Sequence, residues 1–382
     1  MSYHFDLSEK ISVIDKAEWN AIVGSDNPFA RYEFLLALEE SGSVSPKTGW
    51  QPLHLRIFKE ERCIAVVPLY LKSHSYGEYV FDFAWAEAYE RNRIDYYPKL
   101  ITAFPFSPIS HTKLFSLLEP EEIYPIYLQC IKQLCTERNI SSWHGLFLNK
   151  EETLLLENQG CVTRLGTQYH WFNQGYASFD DFLERFVSRR RKNVKRERRK
   201  VLEQDISLET FEGVNISPQL LTTFYQCYAN TYFKRGRSPY LNPAFFQTLL
   251  ALMPENIVLF TAKKDNSYIA TALCFKNSST LFGRYWGALA EYDCLHFETC
   301  FYQGIEYCIQ NNMQRFDPGA QGEHKIIRGF KPIPTHSSHY IEHPEFRHAI
   351  RHFCKEESHY LINEIETLSL MLPFKDIAKK LD

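Results

Sequence analysis

The sequence predicts an α/β (α+β) protein of two consecutive lobes, each a mixed, mostly antiparallel sheet flanked by helices, with a cleft between them. Three observations lead there. The chain has 382 residues, room for two domains of ordinary size. Its 45% hydrophobic and 23% charged residues are the balance of a folded protein and exclude a disordered or fibrous chain. One order of elements (helix, three strands, helix, strand) can be read twice along it.

In the first lobe, expected over residues 1–172, Phe34, Leu35 and Leu38 give helical spacing to 31–40, behind an Asn27-Pro28 loop. β-Branched and aromatic runs predict strands at 54–58, 63–71 and 100–106. Ile123, Ile126, Tyr127, Cys130, Ile131 and Leu134 make the apolar stripe of a helix over 121–138, and 143–148 reads as the next strand. The second lobe, 173–382, repeats the order. Helices are expected at 218–234 and 243–252, antiparallel strands at 257–262, 268–275 and 280–286, a helix at 297–311 and a closing strand from 314. This is the element order of a GNAT (acetyltransferase-type) lobe, in which the strand before the long helix splays from its neighbour. The fold expected is therefore a tandem of GNAT-like lobes.

Composition narrows the class of function. A net charge of -3 gives the molecule no global pull towards nucleic acid or anionic membrane, so any such attraction needs a local patch. The 10 cysteines never occur as CxxC; Cys130, Cys227, Cys274 and Cys308 sit in apolar runs and read as reduced core thiols. The opening MSYHFDLSEK carries charge where a signal peptide needs an apolar run. No stretch approaches the ~20 apolar residues of a membrane span, and the expected location is cytoplasmic.

Four stretches could carry chemistry. In 72–91, His74, Tyr76, Glu78, Asp82 and Trp85 surround Gly77; read as extended chain, Glu78 and Asp82 share one face, and the segment reads as substrate-binding cleft lining. In 317–332, Gly319, Gly322 and Gly329 let backbone approach a ligand, beside Gln321, Glu323, His324, Lys325 and Arg328. Glu323 or His324 is the expected base, and the amides of 319–323 with Arg328 are the expected oxyanion holders. Residues 188–200 hold nine basic residues and one acid, Glu197, in a predicted helix. Arg189, Arg190, Arg191, Lys192, Lys195 and Arg196 there suit phosphates: RNA, a nucleotide, a lipid headgroup or CoA. The fourth stretch is a histidine series, His324, His336, His339, His343, His348, His352 and His359; His348 and His352 could share a helix face, but no metallopeptidase signature accompanies them and no metal is expected. GxGxxG, GxxxxGK[ST] and GxSxG are all missing, which takes weight from kinase, P-loop and α/β-hydrolase readings.

With those residues in view, the sequence resembles the FemAB-like branch of the GNAT superfamily, a family of N-acyltransferases. The resemblance rests on NPFARYEFLLALEESGSV (27–44), TGWQPLHL (48–55), PLYLKSHSYGEYVFDFAWAEAYER (68–91), YYPKL (96–100), PFSP (105–108), WHGLF (143–147), LHFETCFYQGIEYCI (295–309) and DPGAQGEHKIIRGFKP (317–332). It implies two GNAT-like lobes facing a cleft and transfer of an acyl group to a small-molecule or peptide amine. Better-known relatives take amino acids from aminoacyl-tRNA to peptidoglycan precursors. The donor implied is acyl-CoA or aminoacyl-tRNA. Where GNAT enzymes carry a [Q/R]xxGxG/A loop for the CoA pyrophosphate, this chain has 288–296, ALAEYDCLH, with no glycine pair and two acids. That departure favours an RNA-linked donor, with helix 188–200 to hold it. In this reading Tyr76, Tyr79, Trp85 and Trp286 line the acceptor or acyl pocket. The other function carried forward is a non-catalytic peptide- or RNA-binding protein on a degenerate acyltransferase fold.

Overall fold

Proline 68 decides how the first strands are shared out. Having no N–H to give a ladder, it ends one strand and lets the next begin in a different sheet. The run 63–71, expected as one strand, is therefore two. In the computed structural model, which describes residues 3–320 and 322–378, these are β4 (Arg62–Val67) and β5 (Leu69–Lys72).

The chain divides into two units, residues 1–167 with 334–363, and 168–333 with 364–382. The division expected from sequence is continuous, at 172/173; the observed units are each made from two pieces of chain. The first begins with β1 (Tyr3–Ser8), α1 (Lys16–Val23), α2 (Tyr32–Glu40), β2 (Trp50–Pro52) and β3 (His54–Lys59). After β4 and β5 come α3 (Phe83–Arg91), β6 (Lys99–Thr102), β7 (Phe115–Ser116), α4 (Pro120–Glu137), β8 (Ser142–Leu148) and α5 (Lys150–Glu157). Asp15 caps α1 by accepting from the Glu18 amide at 2.7 Å. One antiparallel sheet runs β1-β3-β4-β7; in another, β8-β6-β5-β2, only the β6–β8 pair is parallel. A parallel pair needs a crossover, and α4 supplies it. The stripe Ile123, Tyr127, Ile131 and Leu134 of α4 packs into a core with Leu55, Leu69, Leu100 and Trp143.

β9 (Val162–Phe172) carries the chain into the second unit, which holds α6 (Phe179–Glu184), α7 (Ser188–Leu202), β10 (Ser207–Glu212), α8 (Pro218–Phe233) and α9 (Pro243–Leu252). Then follow β11 (Ile257–Lys264), β12 (Ser267–Lys276), β13 (Thr280–Ala288), α10 (Leu295–Phe297), a π-helical stretch Glu298–Tyr302, α11 (Gln303–Gln310) and β14 (Arg315–Asp317). Ser217 and Asn242 cap α8 and α9, each with proline at the first helical position, so both starts are where the sequence puts them. The expected single helix at 297–311 is interrupted by the π turn. The sheet runs β10-β11-β12-β13-β14-β9, and again one pair, β13–β14, is parallel. The chain returns through β15 (Lys331–Ile341), pairs His336–Ile341 with β8, and ends in α12 (Pro344–Ser369) and α13 (Lys375–Ala378).

Each unit thus has the same plan: antiparallel strands, a helical crossover, a parallel partner, then one more antiparallel strand. That last strand is exchanged in order. Trp171 and Phe172 of β9 complete the second unit, and β15 completes the first.

Candidate functional site

In the second unit, the site grows from a bulge. β12 and β13 pair Leu273 with Tyr285 but Cys274 with Gly283, so Arg284 is the extra residue. Its guanidinium reaches Asp317 at the end of β14 by two bonds, 3.2 and 2.5 Å, with both side chains 2% exposed. Burial pushes the Asp317 carboxyl upward, but Arg284 and then His170 outweigh it and hold the group well below the usual carboxylate range. β14 pairs with β13 only over Thr280–Phe282 and stops, while β13 runs on to Ala288. The loop that follows β14 turns on positive-φ glycines, Gly319 (+92°) and Gly322 (+121°), which a side chain would strain.

That loop is tied from within. The Gly319 amide donates to Asp317 at 3.0 Å, and the buried Lys325 ammonium donates to the Gly319 carbonyl at 2.8 Å. Burial brings the Lys325 amine down to about 8, Asp317 opposing. Glu323–Arg328 forms a 3-10 helix on which Glu323 and His324 are exposed while Lys325 and Arg328 are buried. Burial, then Lys325 and Arg328, hold the His324 imidazole below its ordinary value, so it is neutral at pH 7. Gln321 lies outside the described residues.

Two expected roles change on this geometry. Arg328 is committed: it gives two bonds to Glu197 (3.1 and 2.7 Å), one to the Tyr302 hydroxyl (2.9 Å) and one to the His324 carbonyl (2.7 Å), and lies 3.5 Å over Phe297. It is a positioning residue for the loop, not a free oxyanion donor. The Gly319 amide is likewise spent on Asp317.

The basic helix is α7, and it is not basic all round. Val194 and Val201 are buried, Glu197 grips Arg328, and Arg198 pairs with Glu298 (3.0 Å) and Glu306 (2.7 Å). Arg189, Lys192, Lys195 and Arg196 are exposed and Arg190 and Arg191 half-buried; of these, Lys195 pairs with the exposed Asp180 at 2.8 Å. The one acid in the run is what moors the helix to the loop.

In the first unit, the stretch 72–91 is not extended. It turns at Gly77 (φ +83°) and Tyr79 (φ +62°) and enters α3 at Phe83, yet Glu78 and Asp82 still converge, on Lys99 of β6. The fully buried Lys99 ammonium donates to Ser75 and Glu78, both at 2.9 Å, and to Asp82. The Tyr96 hydroxyl donates to Asp82 at 2.5 Å and lies 3.4 Å from His144, whose other nitrogen meets His339 at 2.6 Å. Burial raises Glu78 to about 7 against the pull of Lys99, whereas for Asp82 the Lys99 charge overcomes burial and keeps it ionised. Burial, then Arg164, pushes His339 down to about 3.

Trp85 is buried beneath Arg164, packed on His339, while Tyr76 is 54% exposed. His74 contacts the Thr48 carbonyl at 3.0 Å and Lys72 at 3.3 Å. Sequence reasoning did not find Lys99, Tyr96 or His144. The available signal was a lysine set directly before the apolar Leu100-Ile101 of a strand. Among the described residues, no group of three His, Cys, Asp or Glu side chains is disposed to hold a metal, and no helix is long and apolar enough to cross a membrane.

Two units of this plan, each with one parallel pair bridged by helix in an otherwise antiparallel sheet, define a protein of the tandem GNAT-like class. The chain belongs to the FemAB-like family, described as peptidoglycan biosynthesis/recognition, whose model matches residues 10–376. Solved structures with this fold include FemX, at 12% identity and a TM-score of 0.55 over 92% of this chain and 100% of that one. Another is the C-terminal domain of a protein from Agrobacterium fabrum named as a lysylphosphatidylglycerol synthetase, at 9% identity and 0.53 over 88% and 95%. A third is a conserved protein of unknown function from Bacteroides thetaiotaomicron, at 9% identity and 0.51 over 88% and 99%. No curated protein matches the sequence.

Proposed function

We propose that the protein is an N-acyltransferase that passes an aminoacyl group from aminoacyl-tRNA to the amine of a peptide acceptor, using the loop after β14. The observation that carries this reading is the buried Lys325 amine fixed on the Gly319 carbonyl beside the neutral His324. The acceptor nitrogen attacks the ester carbonyl carbon directly. A C–N bond forms, the C–O bond breaks, and the amine proton passes to His324 and on to the departing ribose oxygen. The Lys325 ammonium faces the oxyanion as it develops. Arg328 and Glu197 hold the loop on α7. Glu323, exposed on the same turn, is the alternative base.

The exposed face of α7 supports tRNA over CoA, as does the absence of a glycine pair in 288–296. The family's description, peptidoglycan biosynthesis/recognition, supports a peptide amine. Incubation with a charged tRNA pool and a lysine-containing peptide should yield peptide heavier by one aminoacyl residue. Acylation from acetyl-CoA alone would replace the tRNA reading. Binding of tRNA should weaken steeply with salt. Converting Arg189, Lys192, Lys195 and Arg196 to glutamate should flatten the log–log slope by about 3–4 and cost at least about tenfold in affinity. An unchanged slope would remove α7 from the donor site.

A further inference from the structure

The first unit has an open groove of about 590 Å³, lined by residues 83–97 of that unit. Its walls are the exposed side of α3 and the chain leading to β6. Phe83, Ala86, Ile94, Tyr96 and Tyr97 supply apolar and aromatic surface, and Glu87, Glu90 and Asp95 supply three carboxylates against one cation, Arg93. Glu87 is paired only with the exposed Arg91; among the described residues Glu90 and Asp95 make no ion pair. The lip of the groove is an exposed aromatic patch. Tyr76 and Phe81 are each 54% exposed, and their rings lie 5.6 and 6.2 Å from that of Phe83. Open aromatic clusters of this kind mark interaction sites.

A second observation lies behind the wall. Tyr96 donates to Asp82, and Tyr97 bonds to Ser75 (2.8 Å), whose hydroxyl oxygen in turn accepts a hydrogen bond from Lys99. Among the described residues, the buried oxygens Asp82 Oδ1 and Glu78 Oε1 have no hydrogen-bond partner. Two buried carboxylates, Glu78 and Asp82, thus gather around the one Lys99 ammonium behind the aromatic wall.

We propose that this groove binds a linear aliphatic oligoamine, or a chain carrying two or more such ammonium groups, at a site separate from the transfer loop. Separated carboxylates on either side of aromatic rings suit ammonium groups spaced along a flexible stem, each drawn by charge and by ring faces. The aromatic walls distinguish such a ligand from a compact divalent ion, which would ask for converging oxygens instead.

Calorimetric titration of the full-length protein with spermidine, with magnesium chloride as the control cation, tests this. Spermidine should bind at one site. The double variant Glu90→Gln/Asp95→Asn should weaken it about tenfold, and Phe83→Ala about threefold or more, with melting midpoints unchanged because all three side chains are exposed. No heat with spermidine, equal affinity in the double variant, or displacement by equimolar magnesium would each overturn the proposal. None of these outcomes bears on transfer from tRNA, which is read separately by product mass.

Discussion

Lys325→Met should leave the protein folded and lower acyl transfer about 100- to 1000-fold, nearly all of it in kcat. The expectation follows from the role proposed for the ammonium, stabilising the oxyanion. A charge fixed where an oxyanion will form is used mainly in the transition state, and loss of one such donor costs about two to three orders of magnitude. Lys325 is fixed in place, since it is buried and donates one of its N–H groups to the Gly319 carbonyl. Because its amine titrates near 8, the charged form is present below that pH, and the wild-type rate should fall as pH rises through about 8. Lys325→Arg keeps the charge at all working pH, so it should retain some activity and lose the alkaline limb. A methionine variant with kcat within threefold of wild type would remove Lys325 from the chemistry.

The largest effect on stability is expected for Lys99→Met. Its ammonium is shared by Glu78 and Asp82 deep in the first unit, all three buried. Removing one partner of a buried ion cluster costs about 3–5 kcal/mol, or roughly 6–20 °C in melting midpoint for a unit of this size. The pH dependence identifies the cause. Glu78 has a folded value of about 7 against an ordinary 4.5, so its share of stability is complete below 4.5 and is lost as pH rises through 7. Lys99 opposes that rise; without it the carboxyl protonates more readily, and the deficit of the variant should narrow between pH 7.5 and pH 5. Thermal melts across that range check it, and a deficit that is constant with pH would mean lost packing alone.

Much of the fold was legible because its signals are local. Proline and a capping side chain mark the starts of α8 and α9, and the stripe of α4 is a plain 3.6-residue repeat. The errors came where a single residue overrides a pattern. Pro68 cuts an apolar run into strands of two sheets, and positive φ at Gly77 and Tyr79 converts an alternating stretch into a turn and helix. Candidate groups were recognisable by type, but their partners were not. Nothing near Arg328 in sequence announces that Glu197, 131 residues away, will take its guanidinium. Nor does 72–91 reveal that a lysine at 99 gathers both acids. Ion pairs across a fold depend on topology, and sequence spacing carries no record of them.

The exchanged last strands set a timetable for synthesis. β8 is buried along its whole length, and its outer edge is covered by residues 336–341. On the ribosome, at about 5–20 residues per second, those residues follow β8 by roughly 10–40 s. For that interval the nascent first unit presents a bare apolar edge, the form of surface that recruits chaperones or pairs with a neighbouring chain. A fragment ending at 172 is therefore expected to collect in the insoluble fraction, whereas the intact chain does not. Slowing translation after residue 172 should lower the soluble yield of the whole protein for the same reason.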